Sequence, residues 1–287
     1  MKIHASRGIK TYSHRTTMNQ QHKNTPASEG GHDNMVRFGF RMGRSGAHAS
    51  RTMMLEEIQT LLETLPANAT RASYVEGVFD ANLLGKGTAK ARELAAKHLV
   101  ELYGLDENLC LFRVFRRLWQ QDTPARPVLA LTLALARDPL LRLSRPLMLS
   151  KHPGEPLERR EVEDVLDQAK PGRFSAASLK SFAQNINGSW TQAGFLRGRA
   201  RKVRALPTVT PTNLAFALFL GHLEGLRAQR LFASDWARLI SGSQEELISL
   251  VQSASRRGLL VFMNAGGVME VRFPGYLTQE EEAWLHE

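Results

Sequence analysis

The chain has 287 residues, of which 43% are hydrophobic, and this is enough for the cores of two or three small domains. Its single cysteine, Cys110, excludes an intrachain disulfide and a metal cluster held by several thiolates; we expect it to be a small buried apolar side chain. The formal net charge is +10, but residues 1–51 account for +7 of it, with nine Lys/Arg and two Asp/Glu. A basic surface in the rest of the chain must therefore be local.

Residues 1–51 are polar and rich in Gly, Ser, His, Asn, Gln and Arg, without a sustained apolar period. This composition predicts a disordered basic tail, for which Met18 and Met35 are alternative start positions. The chain lacks a segment typical of a signal peptide and a run of about 18 apolar residues, so we expect a cytoplasmic protein without membrane contact. Five of the nine histidines lie in the tail, at spacings that do not favour a metal site: His4, His14, His22, His32 and His48.

Residues 52–152 are predicted to form an N-terminal helical domain with a helix-turn-helix-like order. The apolar spacing predicts helices over Met53–Leu65, Ala72–Leu83, Thr88–Tyr103 and Leu109–Trp119. The residues after Pro127 are apolar on all sides, which is typical of a buried central helix. A plain bundle, in which the lysines and arginines of the third helix are only solvated, fits the same residues.

Residues 153–210 are predicted to form a central winged helix-turn-helix. A helix over Leu157–Ala169 and a Pro-Gly turn precede a second helix, which is capped by Ser175 and reaches Asn187. Glycines at 188 and 194 are expected to end that helix, and Phe195–Val209 is expected to form a short hairpin. The buried face of the second helix is predicted to carry Leu179, Phe182, Ala183 and Ile186.

The charge of this unit favours contact with nucleic acid. Residues 173–204 contain seven Lys/Arg and no Asp/Glu, and unbalanced positive charge on a tight turn suits phosphate contact. Amides on the polar helix face are groups that bond base edges. A solvated charged loop beside a core helix is the alternative interpretation. The candidate DNA-binding residues are Arg173, Lys180, Gln184, Asn185, Asn187, Arg197, Arg199, Arg201, Lys202 and Arg204.

Residues 211–287 are predicted to form a C-terminal winged-helix-like unit with an acidic tail. An apolar helix that includes His222 is followed by two short helices and by a hairpin over Leu259–Phe273. The recognition-helix position of this unit is acidic at its start and the turn of its hairpin lacks basic residues, so we expect the unit to serve protein contact or packing rather than DNA binding. Arg256, Arg257 and Arg272 leave contact with DNA open as the alternative. The acidic tail helix is expected over Thr278–Glu287.

The sequence lacks a phosphate-binding loop, a dinucleotide-binding glycine motif, a zinc-protease motif and a nucleophile elbow. The acidic residues of one helix (Glu161, Glu163, Asp164 and Asp167) are interpreted as a solvated face. We therefore predict a protein without catalytic activity, cofactor, metal or small-molecule substrate, although catalytic residues can also assemble from distant positions.

Three stretches carry a resemblance to a known family. Residues 187–204 read NGSWTQAGFLRGRARKVR, residues 73–78 read SYVEGV and residues 83–88 read LLGKGT. Together with the order of elements, they resemble the BrxA family, small accessory proteins encoded in BREX phage-defence operons of bacteria, over about residues 70–273. The resemblance implies DNA binding without catalysis, beside the system's methyltransferase, ATPase and phosphatase-like components. It assigns the DNA-facing part to Arg197–Arg204.

The predicted fold is thus mainly α, a helical bundle with winged helix-turn-helix units and two small β-hairpins. The predicted function is sequence-tolerant binding of double-stranded DNA within a bacterial defence complex. Two alternatives are a sequence-specific transcriptional regulator and a protein adaptor that uses its winged helices as contact surfaces.

Overall fold

The structure is a computed structural model and describes residues 29–43 and 45–285. Its first part is helical: α1 (Glu29–Phe38), α2 (Leu55–Thr64), α3 (Arg71–Phe79), α4 (Ala89–Tyr103), α5 (Cys110–Gln121), α6 (Arg126–Arg137), α7 (Pro139–Leu143) and α8 (Arg145–Ser150). The second part adds β1 (Pro156–Leu157), α9 (Arg159–Ala169), α10 (Ala176–Gln192), β2 (Leu196–Arg197), β3 (Lys202–Arg204), α11 (Pro211–Leu223), α12 (Gln229–Phe232), α13 (Asp235–Ile240), α14 (Gln244–Arg256), β4 (Val261–Ala265), β5 (Val268–Arg272) and α15 (Gln279–Trp284). The mainly α fold with two small hairpins is confirmed.

Helix starts follow the capping residues that the sequence shows. The Thr88 hydroxyl accepts from the Ala91 amide at the start of α4, and the Ser175 hydroxyl accepts from the Ser178 amide at the start of α10. At the other end of α4, Gly104 has a φ of +90°, which a residue with a Cβ rarely adopts. Within the described residues, no helix is long and apolar enough to cross a membrane.

The core is built around α6 and α11, which are in contact. All side chains of α6 from Val128 to Arg137 are buried, as predicted for a helix that is apolar on all sides. Helices α4 and α5 also pack against α6, and the prediction of a central helix is confirmed. Cys110 is buried at the start of α5, and this burial raises the pKa of its thiol far above the ordinary range. The buried side chains form one continuous cluster, while the predicted division into folded units stays a prediction.

The segment before Thr52 is folded, which corrects the prediction of disorder as far as the described residues reach. Helix α1 and a 3₁₀ turn over Ala47–Ala49 lie in this segment, and Phe38 and Phe40 are at most 2% exposed. The Phe38 ring lies 5.5 Å from the Trp284 ring. This segment has little apolar periodicity of its own, and it is held in place by a few apolar side chains, such as Phe38, that pack against residues distant in the sequence. The predictions for residues 1–28 lie outside the described residues.

Residues 139–204 have the order of a winged helix-turn-helix. Strand β1 precedes α9 and α10, and β2 and β3 follow them in a three-stranded antiparallel sheet of order β1-β3-β2. The predicted hairpin is confirmed, with Arg197 opposite Val203, whereas β1 was not predicted. Helix α10 also continues through Gly188 to Gln192, so the prediction that Gly188 ends it was wrong. A Cβ at Gly188 would lie 2.8 Å from Thr52 Cγ2, and the glycine therefore serves close packing within the helix.

The second hairpin, β4–β5, follows α13 and α14 as predicted, with Val261 opposite Arg272 and Ala265 opposite Val268. Residues of β5 alternate between exposed and buried, as expected of a strand with one face on the core. The acidic helix α15 is capped by Thr278.

Candidate nucleic-acid interface

The N-terminal half of α10 is an exposed polar surface. Lys180 and Gln184 are exposed, while Ala183, Ile186 and Trp190 on the opposite side are buried. The predicted apolar face is therefore confirmed, with Leu179 and Phe182 partly buried beside it. The spacing of 3.6 residues per turn places the polar and apolar side chains on separate faces.

Two predicted contacts on α10 do not lie on this surface. The Asn185 Nδ2 group donates to the His48 carbonyl oxygen at 3.0 Å, so this amide is used within the protein. Asn187 is only 5% exposed. Both predictions as groove-facing residues are corrected. Asn185 is turned toward the folded segment before Thr52. Asn187 is buried on the side of the helix that lies next to the wing.

The wing is a tight turn that carries free cations. Gly198 has a φ of +94°, and a Cβ there would lie 2.1 Å from the Arg201 carbonyl oxygen, so the turn requires glycine. Arg197, Arg199 and Arg201 are exposed, and none of them makes an ion pair in the part of the chain that the structure describes. The Lys202 ammonium group instead donates to the Gly198 carbonyl oxygen at 2.7 Å, which braces the turn.

Arg204 is a structural residue at the base of the wing. It is 8% exposed, and its guanidinium group lies 5.1 Å from the centroid of the Phe195 ring. The same group donates to the carbonyl oxygens of Phe195 and Ala205. Burial lowers the pKa of Arg204. The prediction that Arg204 contacts DNA is corrected, since this side chain packs at the end of the sheet rather than at the tip of the wing.

A basic cleft of about 440 Å³ lies between the wing, α10 and the start of α9. Its walls contain five basic residues and one acidic residue. The lining residues are Leu157, Glu158, Arg159, Arg160, Gln184, Asn187, Arg199, Ala200, Arg201 and Lys202. Predicted interface residues on α10 and on the wing are thus brought together, while Arg173 lies before α10, with its guanidinium group 5.2 Å from the Phe174 ring centroid.

Arg159 and Arg160 were missed as interface residues. They begin a helix that is acidic overall, and β1, which joins its start to the wing through Leu157 and Lys202, was not predicted. Arg159 Nε lies 2.6 Å from Glu163 Oε1 in an ion pair. The pair of arginines directly after Glu158 was the available signal.

A buried polar network holds the side of α10 that faces away from the cleft. His48 Nδ1 lies 2.9 Å from Asp138 Oδ2, and His48 Nε2 lies 2.8 Å from Ser189 Oγ. All three residues are fully buried. The sequence of contacts, from serine to histidine to aspartate, is the same as in a serine-histidine-aspartate catalytic triad. The sequence analysis did not predict this arrangement.

The partners of this network show what it does in the folded protein. Ser189 Oγ also accepts from the Met53 amide at 2.7 Å, and Asp138 Oδ1 accepts from the Leu140 and Leu141 amides as the cap of α7. Burial raises the pKa of Asp138, but the charge and hydrogen bonds of His48 outweigh it and lower this pKa to about 2. The Ser189 hydroxyl is closed off from solvent, so the network joins three parts of the chain rather than presenting a nucleophile.

No protein-family model matches this sequence, and no curated protein is significantly similar to it. The resemblance to the BrxA family therefore stays a prediction. Within the described residues, no group of three or more His, Cys, Asp or Glu side chains could hold a metal ion.

Proposed function

We propose that the chain binds double-stranded DNA through the exposed half of α10 and the wing. The observation that carries the proposal is the set of exposed wing cations Arg197, Arg199 and Arg201, which make no ion pair among the described residues. Arg199 and Arg201 line one cleft with Gln184 of α10, and Lys180 is exposed on the same helix. In a winged helix-turn-helix, the second helix of the pair enters the major groove. Here that helix is α10, and its exposed amide and ammonium groups are of the kind that contact base edges and phosphates.

The distribution of charge favours contacts with the backbone over reading of sequence. Most exposed polar groups at this surface are cations, and phosphate contacts position a protein without selecting a sequence. Of the three amide side chains predicted to face the groove, Asn185 is bonded within the protein and Asn187 is buried. Gln184 is exposed and can reach a base edge. We therefore propose sequence-tolerant binding rather than the readout of a transcriptional regulator.

The test replaces Arg199 and Arg201 by Ala and measures duplex binding across a range of salt concentrations. If each arginine contacts one phosphate, the slope of log affinity against log salt falls by ~1.8, that is ~0.9 per contact. Lys202 is left unchanged because it braces the wing turn. Binding should weaken equally on unrelated sequences.

A matched control replaces Lys97 and Arg230, two exposed cations on α4 and α12, by Ala. This variant loses the same charge from other surfaces and should keep the salt slope of the original protein. Equal slopes for both double variants, with both proteins folded, would show that the wing is not the DNA contact.

We further propose that this binding serves a BREX-type bacterial defence system as a non-enzymatic accessory activity, as the resemblance to the BrxA family implies. Its partners would then be the methyltransferase, the ATPase and the phosphatase-like component. Mixing the purified chain with each component, in the presence and absence of DNA, tests this part of the proposal separately. Absence of association with all three in both conditions contradicts it.

A second candidate function is that of a protein adaptor, and a specific observation favours it. The outward face of the β4–β5 hairpin exposes Val261, Met263 and Val268, the last of them 70% exposed. An exposed cluster of large apolar side chains is typical of a contact surface. Val268→Lys should abolish association with a partner while leaving DNA binding intact, which separates this function from the first.

A further inference from the structure

Strand β5 is paired along one edge and unpaired along the other. Its partner is β4, and no further strand lies beside β5 in the part of the chain that the structure describes. The outer edge of β4 is different, because the Phe262 amide donates there to Ser255 Oγ at 3.2 Å. An unpaired strand edge is a template for the addition of another strand. The outer edge of β5 is therefore the side of this hairpin to which a strand can be added.

The bond to Ser255 also determines which backbone groups of β5 point outward. Since the Phe262 amide points away from β5, Phe262 and the opposite residue Val271 form a pair without mutual hydrogen bonds. The backbone groups of Val271, and those of Met269 two residues earlier, therefore point away from β4. No backbone hydrogen bond within the described residues reaches these groups. They are the donors and acceptors that an added strand requires.

This edge borders a groove of about 830 Å³. Each residue from Val268 to Phe273 lines the groove, and so do Leu277 and Leu285. Val268, Glu270 and Arg272 are exposed on the outward face of β5, so the groove is open to solvent along this row. Leu277 and Leu285 are partly buried, and they suit apolar side chains on the inward face of an added strand.

We propose that the groove binds an extended segment of a partner protein, which adds to the sheet antiparallel to β5. In an antiparallel pair, side chains directly opposite each other interact, and opposite charges stabilise the pair. Along the partner segment, an acidic residue faces Arg272, and a basic residue two positions later faces Glu270. An apolar residue two positions further on faces Val268, which is 70% exposed. The two intervening residues are apolar and point toward the groove.

The charges on β5 are accessible to such a segment. Arg272 Nε lies 2.6 Å from Glu270 Oε1, but the side chains of Arg272 and Glu270 are 64% and 48% exposed. An exposed ion pair is weak, so both side chains can also pair with charges on the added strand. The groove shares no lining residue with the basic cleft beside the wing. The inference thus goes beyond duplex binding and specifies how an adaptor would hold its partner.

The first test measures binding of a labelled peptide to the full chain by fluorescence anisotropy. The peptide carries Glu, Val, Lys, Val and Val at the paired positions, and a second peptide has its Glu and Lys exchanged. We expect a Kd of about 100 µM or lower for the first peptide and binding about 10-fold weaker for the second, because two attractive pairs become repulsive. Equal binding of the two peptides, or an absence of binding, would overturn the proposal.

A charge-swapped protein locates the peptide. Glu270→Arg combined with Arg272→Glu keeps the net charge and the ion pair of the hairpin, and this protein should prefer the exchanged peptide by about 10-fold. The control swaps another exposed ion pair, Lys90 with Glu93 on α4, where Nζ and Oε2 are 2.9 Å apart. The Lys90→Glu, Glu93→Lys protein should keep the original preference. A charge-swapped hairpin that also keeps it contradicts the proposed pairing.

Two N-methylated peptides test the backbone contacts. Methylation of the residue that faces Val271 removes an N–H group that donates to the strand edge, and binding should weaken about 10-fold or more. Methylation of the basic residue, whose N–H group points away from β5, is the matched control and should leave the affinity nearly unchanged. Equal effects of the two methyl groups would show that the peptide does not extend the sheet.

Two further measurements separate this proposal from the others. Sedimentation velocity of the protein alone should show a monomer, and a dimer that excludes the peptide would assign the edge to a second copy and overturn the proposal. The wing variant, with Arg199 and Arg201 replaced by Ala, should bind the peptide normally, while the charge-swapped protein should bind duplex DNA normally. Loss of duplex binding in the wing variant alone therefore supports the proposed function without affecting the groove. Loss of peptide binding in the wing variant would contradict the groove assignment.

Discussion

Replacement of His48 by Ala should destabilise the protein far more than a single histidine on a surface helix would. The change removes the Nδ1 contact with Asp138 and the Nε2 contact with Ser189, both inside a fully buried site. It also leaves the Asp138 carboxylate without its cationic or donor ring, although the amides of His48, Leu140 and Leu141 still donate to it.

The magnitude follows from these losses. Removing one partner of a buried charged pair costs about 3–5 kcal/mol, and the loss of a further buried hydrogen bond adds about 1 kcal/mol. The amides that remain on Asp138 offset part of this, so we expect the free energy of unfolding to fall by about 3–4 kcal/mol. Urea denaturation followed by tryptophan fluorescence measures the change, and the m-value should stay constant if only stability changes.

A matched control is available in the same chain. His98 lies 3.3 Å from Glu101 on α4, and the side chains of the two residues are 11% and 23% exposed. His98→Ala removes a single contact at a partly solvated site and should cost about 1–2 kcal/mol, less than His48→Ala. If His48→Ala costs no more than His98→Ala, the buried network does not hold the N-terminal segment on α10, and the reasoning fails.

Three other perturbations follow from the same geometry. Deletion of residues 1–51 removes the buried side chains of Phe38, Phe40 and His48. Differential scanning calorimetry should therefore show a melting temperature lower by about 10 °C or more. An unchanged melting temperature would restore the prediction of a disordered tail. The pKa of Asp138 is lowered to about 2 from 3.8, so this carboxylate contributes about 2 kcal/mol to the free energy of unfolding above pH 4. The contribution is lost as the pH falls toward 2. Acid titration of the original protein and of Asp138→Asn, in which this loss should be absent, checks the sign. Gly198→Ala should distort the wing and weaken duplex binding at constant melting temperature, and normal affinity would refute the need for glycine there.

The sequence predicted those features that depend on neighbouring residues. Capping by Thr88 and Ser175, the apolar face of α10 and the short hairpin after this helix are local properties, and each is found in the structure. A short strand that pairs with a strand distant in the sequence cannot be predicted in this way. Pro156 and Leu157 form β1 only because β3 lies beside them, and nothing in two residues predicts that pairing.

The candidate site was predicted less completely, since burial within a charged stretch depends on distant contacts. Arg204 and Arg199 occur in the same run of cations, yet Phe195 covers the first and solvent surrounds the second. Asn185 and Ser189 acquire their roles from His48, which lies 137 and 141 residues earlier in the chain. Periodicity cannot reveal such pairs.

The anchoring of α10 has a mechanical consequence for whatever occupies its exposed half. His48 Nε2 is hydrogen-bonded to Ser189 Oγ, and the Trp190 indole donates to Ser144 Oγ at 2.8 Å. These two hydrogen bonds fix the last two turns of the helix to the core on two sides. Because α10 is attached to the core in this way, the helix cannot rotate by itself to fit the groove of a bound DNA. A ligand therefore has to deform to match the helix, and slow amide exchange along the C-terminal turns of α10 should persist when a ligand is bound.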